Sequence, residues 1–446
     1  MKQVNLLTDS PRRLFFHYLG PTIGSSMVTS IYILADTIMV GQGVGDAGLA
    51  ALTIFMPIVA SFFALGLLLG VGGGVLMSVA KGSGNESLAH KYFSTAMISA
   101  AVVSVCFAVF GAIFFDPMMY ALGADTTNIE LVRGYGLCYT VSAPLFIFSS
   151  SLQSFIRNDK SPRHAMIAVL TGSGLNILLD YLFIFVFKMG MFGASFATSI
   201  GTSITVCILI IHFFTKKNTM RFSFRFFSIK ALWEIAKCGF SSFLIECANA
   251  VLVFVFNHTL LKYIGSVGVT VYSIMSNVAV VCMSLFNGVT LAAQPIIATN
   301  HGADNHKRVL QVRHIGTITS SVIAVIIFCV GFFFPDLLIY SYVKGPTPEI
   351  LELARYALRI YFFAYLFMNF NIFFSGYFQS TLRPVAAITI QILRSLLLSS
   401  VLVSVLPMIF GADAIWYAVP ITECVTFFVA MAFLFFGRFQ KTKEVK

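Results

Sequence analysis

Twelve stretches of this chain are apolar over lengths that match a lipid bilayer, and they leave few folds open. They cover about residues 14–40, 49–80, 92–115, 133–156, 164–187, 193–215, 233–261, 269–297, 311–334, 354–380, 385–408 and 413–436. A run of roughly 20 such residues spans the hydrocarbon core. No water reaches that depth, so each run must satisfy its own backbone as a helix. The expected fold class is therefore an all-α membrane protein with twelve transmembrane helices. The whole composition agrees: 58% of residues are apolar and 11% charged, with a mean hydropathy of +0.88. Soluble domains carry roughly 25% charge. The 47 Phe are spread over nearly all the runs, as lipid-facing and packing surfaces require, and mark no discrete aromatic site.

The chain also repeats itself once, at a shift of 220 residues. Gly45 and Gly48 answer Gly265 and Gly268, Lys81 to Asn85 answers His301 to Asn305, and Asp116 falls on Asp336. Later the shift drifts, with Gln153-Ser154 set against Gln379-Ser380 and Pro162 against Pro384. The unit is too long for a solenoid repeat of roughly 20–50 residues. Two pseudo-symmetric bundles that rock about a central site are the arrangement of many secondary transporters. The expected division is an N-terminal six-helix bundle at 1–215, a linker at 216–230 and a C-terminal six-helix bundle at 231–446.

Charge sets the expected orientation. Of the 29 Lys and Arg, 21 fall on alternate segments: the N-terminus, the loops at 81–91, 157–163, 216–230, 307–313 and 383, and the tail 438–446. The opposite loops hold six, among them Lys344, and eight of the 18 acids. This asymmetry places both termini in the cytoplasm of a multi-pass inner-membrane protein. The net charge of +11 is thus topogenic, and nucleic acid is not an expected partner. Lys2, Arg12 and Arg13 precede the first run without a cleavage site, so that run reads as a retained helix. The linker interleaves five basic residues with Phe222, Phe224, Phe226 and Phe227, which suits the headgroup zone of anionic lipid. Gly43-Val44-Gly45-Asp46-Ala47-Gly48 has the spacing of a dinucleotide fingerprint, but it joins two membrane helices and no acid follows at 62–72. No phosphate-binding loop accompanies it, so an ATP-driven pump is not expected. The eight Cys form no CxxC pair and read as packing residues.

Four acids lie inside apolar runs: Asp36, Asp180, Glu246 and Glu423. A charge at the bilayer centre costs from about 2.5 kcal/mol upward, so such groups face a partner or a wet cavity. Asp36 and Asp180 sit at similar depth near the outer ends of the first and fifth runs, and Asn176 shares a helix face with Asp180. Tyr135 and Thr198 come to the same level. Paired carboxyls here suit reversible binding of H⁺, and the carboxylate, amide and hydroxyl oxygens equally suit Na⁺ at Asp36 and Asp180. No other cofactor is expected, and no enzyme activity. Arg394 lies at the depth of Glu423, which predicts an ion pair. Glu246 is the expected contact for a cationic substrate, with Asn369 and Asn371 as its nearest polar candidates. Tyr32, Tyr139, Met275, Met283 and Phe286 are the candidate apolar wall of the cavity.

With these residues in view the chain resembles the multidrug and toxic compound extrusion (MATE) transporters over nearly its whole length. The likeness rests on Ala35-Asp36-Thr37-Ile38-Met39-Val40-Gly41, on Gly174 to Asp180 with its Asn-x-x-x-Asp element, and on Gln294-Pro295 with Asn300-His301-Gly302. The resemblance implies a cation site of Asp36, Asn176 and Asp180, with Tyr135 and Thr198 beside them, as in the DinF-like branch. Glu246 is similar instead to an acid of the NorM-like branch, whose Asp on the tenth helix is missing here. The expected function is a monomeric antiporter that exports small amphipathic organic cations in exchange for H⁺ or Na⁺. A flippase for lipid-linked saccharides is the alternative, and it requires a cavity rich in Arg and Lys. A channel or a receptor fits the repeat and the buried acids less well.

Overall fold

The computed structural model describes residues 4–343 and 345–443. Lys2, Lys344 and the charged side chains of the tail, all used in the charge asymmetry above, lie outside what is described. The first half comprises α1 (Pro11–Val44), α2 (Asp46–Gly82), α3 (Glu86–Ile113), the short α4 (Phe115–Ala121), α5 (Ile129–Val141), α6 (Ala143–Asn158), α7 (Pro162–Asp180) and α8 (Gly190–Ile211). The second comprises α9 (Ile229–Tyr263), α10 (Ser266–Gly302), α11 (His306–Phe333), the short α12 (Pro335–Tyr342), α13 (Pro348–Phe363), α14 (Tyr365–Ser380), α15 (Pro384–Gln391), α16 (Leu398–Phe410) and α17 (Ala418–Lys443). Among the described residues, ten helices or continuous helical stretches are long and apolar enough to cross a membrane. Two further crossings are bent pairs, α5 with α6 at 52° and α13 with α14 at 43°, which brings the total to twelve. Pro144 opens α6 and has no N–H to continue the ladder of α5, which accounts for the first bend.

The repeat is visible in the backbone. Gly45 and Gly265 hold the same turn, both with φ +86°. Asn85 and Asn305 cap α3 and α11 in the same way, each accepting from the backbone N–H three residues on. Asp116 pairs with Arg133, and Asp336 with Arg355 at 2.5 Å. From α5 and α13 onward the offset is 222 residues, relating Arg133 to Arg355 and Asn158 to Ser380. This corrects one sequence alignment: Gln153 answers Ser375, not Gln379, whose counterpart is Arg157.

The surface is that of a membrane protein, with Phe110, Phe214, Phe254 and Phe428 exposed on the outside of the helices. The glycines of α2 serve close approach, Gly66 and Gly70 against Ser150 and Ser151 of α6, and Gly72 against Gly239 of α9. The two halves are clamped at the end that carries the linker, called here the basic end. A side chain on Gly82 would collide with the Thr299 carbonyl, and one on Gly302 with the Val79 carbonyl, the same contact made twice by the pseudo-symmetry. Hydrogen bonds between the halves gather toward this end. Thr22 Oγ1 donates to Gly288 O at 2.7 Å, Asn300 Nδ2 to Leu6 O at 3.0 Å, and Arg308 to the carbonyls of Leu6 and Asp9. The linker is strapped across α3, where Ser223 N–H donates to Ser94 Oγ at 3.1 Å.

Candidate functional site

Inside the first half, α1, α5, α7 and α8 converge on the two aspartates. Asp36 is 8% exposed and Asp180 fully buried, and their carboxyls are close enough to interact electrostatically. Tyr32, one turn before Asp36, and Tyr135 on α5 feel both carboxyls. Asn176 faces Asp180 from the preceding turn, and its Nδ2 donates to Thr198 Oγ1 at 3.2 Å. Gly201 lets α8 approach α7 here, since a Cβ on it would stand 2.9 Å from the Asn176 Cβ. Directly after Asp180 the helix widens into a π-helical turn, Tyr181–Val186. Such insertions recur at functional positions. Asp36 Oδ1, both Asp180 carboxyl oxygens and Asn176 Oδ1 are buried without hydrogen-bond partners. Buried acceptors without donors are costly, and four of them on the adjoining helices α1 and α7 make an oxygen-rich niche suited to a proton or a small hard cation.

Between the halves lies a cavity of about 430 Å³. Its walls come from α1, α2, α6, α7 and α8 on one side and α9, α10, α14 and the α15–α16 region on the other. Tyr32, Asn176 and Thr198 line it, so the aspartates sit one layer behind its wall. Glu246, Met283 and Arg394 line it from the second half. Much of the rest is polar and was not read as cavity lining in the sequence: Ser25, Thr29, Gln153, Asn287, Gln294 and Gln391. Gln153 entered the sequence reading only through the repeat and Gln294 only through the Gln294-Pro295 element; the convergence of all six makes a polar chamber.

The sequence model of the MatE family matches residues 21–182 and 238–405, one segment in each half. The chain belongs to the MatE family. Among its relatives are the multidrug export protein MepA of Staphylococcus haemolyticus, 26% identical over 421 residues covering 94% of this chain and 92% of that protein. MepA of Staphylococcus aureus strain MSSA476 is 23% identical over 442 residues, 97% of this chain and 95% of that one. The fold matches that of a MATE crystal structure in complex with MaL6 at TM-score 0.92, 22% identity and 99% coverage of both chains. It equally matches an outward-facing multidrug resistance MATE transporter of the MOP superfamily, at TM-score 0.92 and 22% identity over 99% of this chain and 98% of that one.

In this MatE chain the second half has a different polar centre. Arg394 Nη2 donates to Glu423 Oε1 at 2.8 Å, and Asn371 Nδ2 donates to Glu423 Oε2 at 2.7 Å. Both ion-pair partners are under 5% exposed. Several expected wall residues lie elsewhere. Asn371 is engaged by Glu423, and Asn369 accepts from Ser320 Oγ at 3.2 Å, so neither attends Glu246. Met275 and Phe286 pack in the core of the second half. Tyr139 is held in an aromatic stack, 4.1 Å from Phe146, in the core of the first half. These side chains satisfy their neighbours first, and apolar character alone does not say which wall a residue faces. Arg157, counted as a loop charge, is buried in the last turn of α6 and lines the cavity.

Proposed function

We propose that this MatE protein is a secondary antiporter that exports small amphipathic organic cations through the central cavity in exchange for inward H⁺ or Na⁺. The observation that carries the reading is the Asp36–Asp180 pair: two buried carboxyls in mutual electrostatic reach, without a cationic partner, behind a polar cavity at the interface of two repeated bundles. Two such groups cannot both hold a bare charge cheaply, so one takes up a cation or a proton. The multidrug export names of the MepA relatives support the cargo class. Positive charge at the basic end supports a cytoplasmic position for it in the inner membrane. With the clamp at Gly82 and Gly302 on that side, the cavity is offered to the outside. Ion uptake at Asp36 and Asp180 then removes charge one layer behind Tyr32 and Asn176, and the resulting shift of α1 and α7 releases cargo from the cavity. Glu246 is the counter-charge for that cargo. Arg394 is neutralised by Glu423, so the lining lacks the several free cations that a pyrophosphate-linked saccharide requires.

The test is transport in reconstituted vesicles loaded with a fluorescent cation, with pH and Na⁺ gradients imposed separately. Efflux should follow one of the two gradients and vanish in Asp36→Asn and in Asp180→Asn, with membrane insertion unchanged. Full gradient-driven efflux in both variants would overturn the mechanism.

A further inference from the structure

One buried charge in the cavity has no role in that cycle. Arg157 is 7% exposed, lines the cavity, and is the penultimate residue of α6 at its basic end. Its Nη2 donates to Ser154 Oγ at 3.1 Å, and its Nε is buried with no acceptor. A guanidinium has five donors to place, and a buried charge without a counter-ion is among the most expensive groups a protein can hold. The neighbouring acid does not answer it. Asp159 accepts from Lys81 Nζ at 2.6 Å, His212 Nε2 at 2.9 Å and Thr219 N at 3.0 Å, and also from the Thr219 hydroxyl.

The repeat shows that the architecture does not need a cation at this place. The counterpart of Arg157 is Gln379, which closes the same helix end with a neutral amide, donating to Cys238 O at 2.8 Å and Ser242 Oγ at 3.1 Å. The other charged residues of the lining are Glu246 and Arg394, and Arg394 is already paired with Glu423. Among the described residues, the cavity therefore presents one carboxylate on α9 and one guanidinium at its floor, neither with a counter-ion.

We propose that Arg157 forms an anion subsite at the cavity floor that binds the carboxylate of the cargo, so that the preferred cargo carries an acidic group together with its cationic one. The proposal rests on the export reading above and names the substrate class of that cavity. A guanidinium matches a carboxylate in a planar, two-bond geometry. A phosphate monoester would bring roughly −1.5 to −2 charges, more than one free guanidinium neutralises.

Rhodamine 110 bears a free carboxylate, and rhodamine 123 is its methyl ester; the pair share one aromatic body. Binding of each to the full-length protein in nanodiscs, read by fluorescence polarisation, tests the subsite. Wild type should bind rhodamine 110 more tightly, and benzoate should displace it while phenyl phosphate does not. Arg157→Gln, which copies the second half, should weaken rhodamine 110 by about tenfold to a hundredfold, the worth of a charged hydrogen bond, and leave rhodamine 123 unchanged. Arg157→Lys should restore part of the loss. Equal effects on both dyes, or no preference in wild type, would overturn the subsite, and the wild-type arm decides if the Gln variant does not fold. Gradient-driven efflux of both dyes that ignores position 157 sinks only this inference; absence of coupled efflux of either dye sinks the export reading instead.

Discussion

The two halves solve the same helix contact in opposite ways. Where the first half packs α7 on α8, Gly172 and Gly201 bring the backbones together, with a Cβ on Gly201 only 2.7 Å from the Gly172 carbonyl oxygen. At the 222-residue offset the second half places Arg394 and Glu423 at these two positions, and they form the buried ion pair. The cation niche shows the reverse substitution. Asp36, Asn176 and Asp180 correspond to Phe256, Leu398 and Leu402, and Phe256 is stacked on Tyr272 at 4.5 Å. One fold thus carries its polar machinery at two different levels. In the first half the glycine contact lies beside carboxyl oxygens without hydrogen-bond partners, the pair proposed above to exchange an ion. The second half instead pairs its buried acid with Arg394 and Asn371.

The comparison breaks most readily at Arg394. Arg394→Ala strands Glu423 without its cation and should cost about 3–5 kcal/mol, read as a large loss of melting temperature and yield in detergent. Arg394→Met combined with Glu423→Leu should recover most of it; a single variant as stable as wild type would show that the pair does not hold the second half together. Next in size, Gly201→Ala should cost roughly 1–3 kcal/mol by overpacking and should also lower gradient-driven efflux, because its Cβ presses on Asn176. Unchanged stability would mean that the α7–α8 contact is looser than the geometry states.

A smaller effect sharpens the contrast at the helix ends, where Asp159 of the first half answers Thr381 of the second. Burial pushes the Asp159 carboxyl up, but its bonds with His212, Lys81 and Thr219 outweigh that and hold it below its ordinary value. A depressed carboxyl stabilises the fold above its unfolded pKa, and the gain is lost as pH falls through the folded value. The melting-temperature gap between wild type and Asp159→Asn should therefore be steady from neutral pH down to about 5 and close below about 4. A gap that widens on acidification would reverse the assignment. The smallest change in stability is expected from Asp180→Leu, which copies Leu402. It removes an unpaired buried acid, so stability should stay within about 1 kcal/mol or rise, while ion-driven efflux is lost. A variant that unfolds would mean that Asp180 is held by contacts the niche does not show.

The spans were legible in the sequence because a bilayer imposes a local rule: about 20 apolar residues in a row must be helix wherever they occur. The repeat was legible for the same reason, since turn glycines and caps such as Gly45, Asn85 and their copies act within a few residues. The Arg394–Glu423 pair could be read from matching depth, because an unpaired arginine there has few alternatives. Lateral position was not legible. Tyr139, Met275, Phe286, Asn369 and Asn371 have the right character and depth for the cavity and face other neighbours, and Arg157 read as a loop charge when it is a cavity floor. Which side of a helix meets the cavity depends on tilt and rotation, set by contacts such as Gly82 with Thr299 and Gly72 with Gly239 between segments more than 150 residues apart. Hydropathy measures depth along one helix and carries no information about those rotations, so only the packed bundle could decide them.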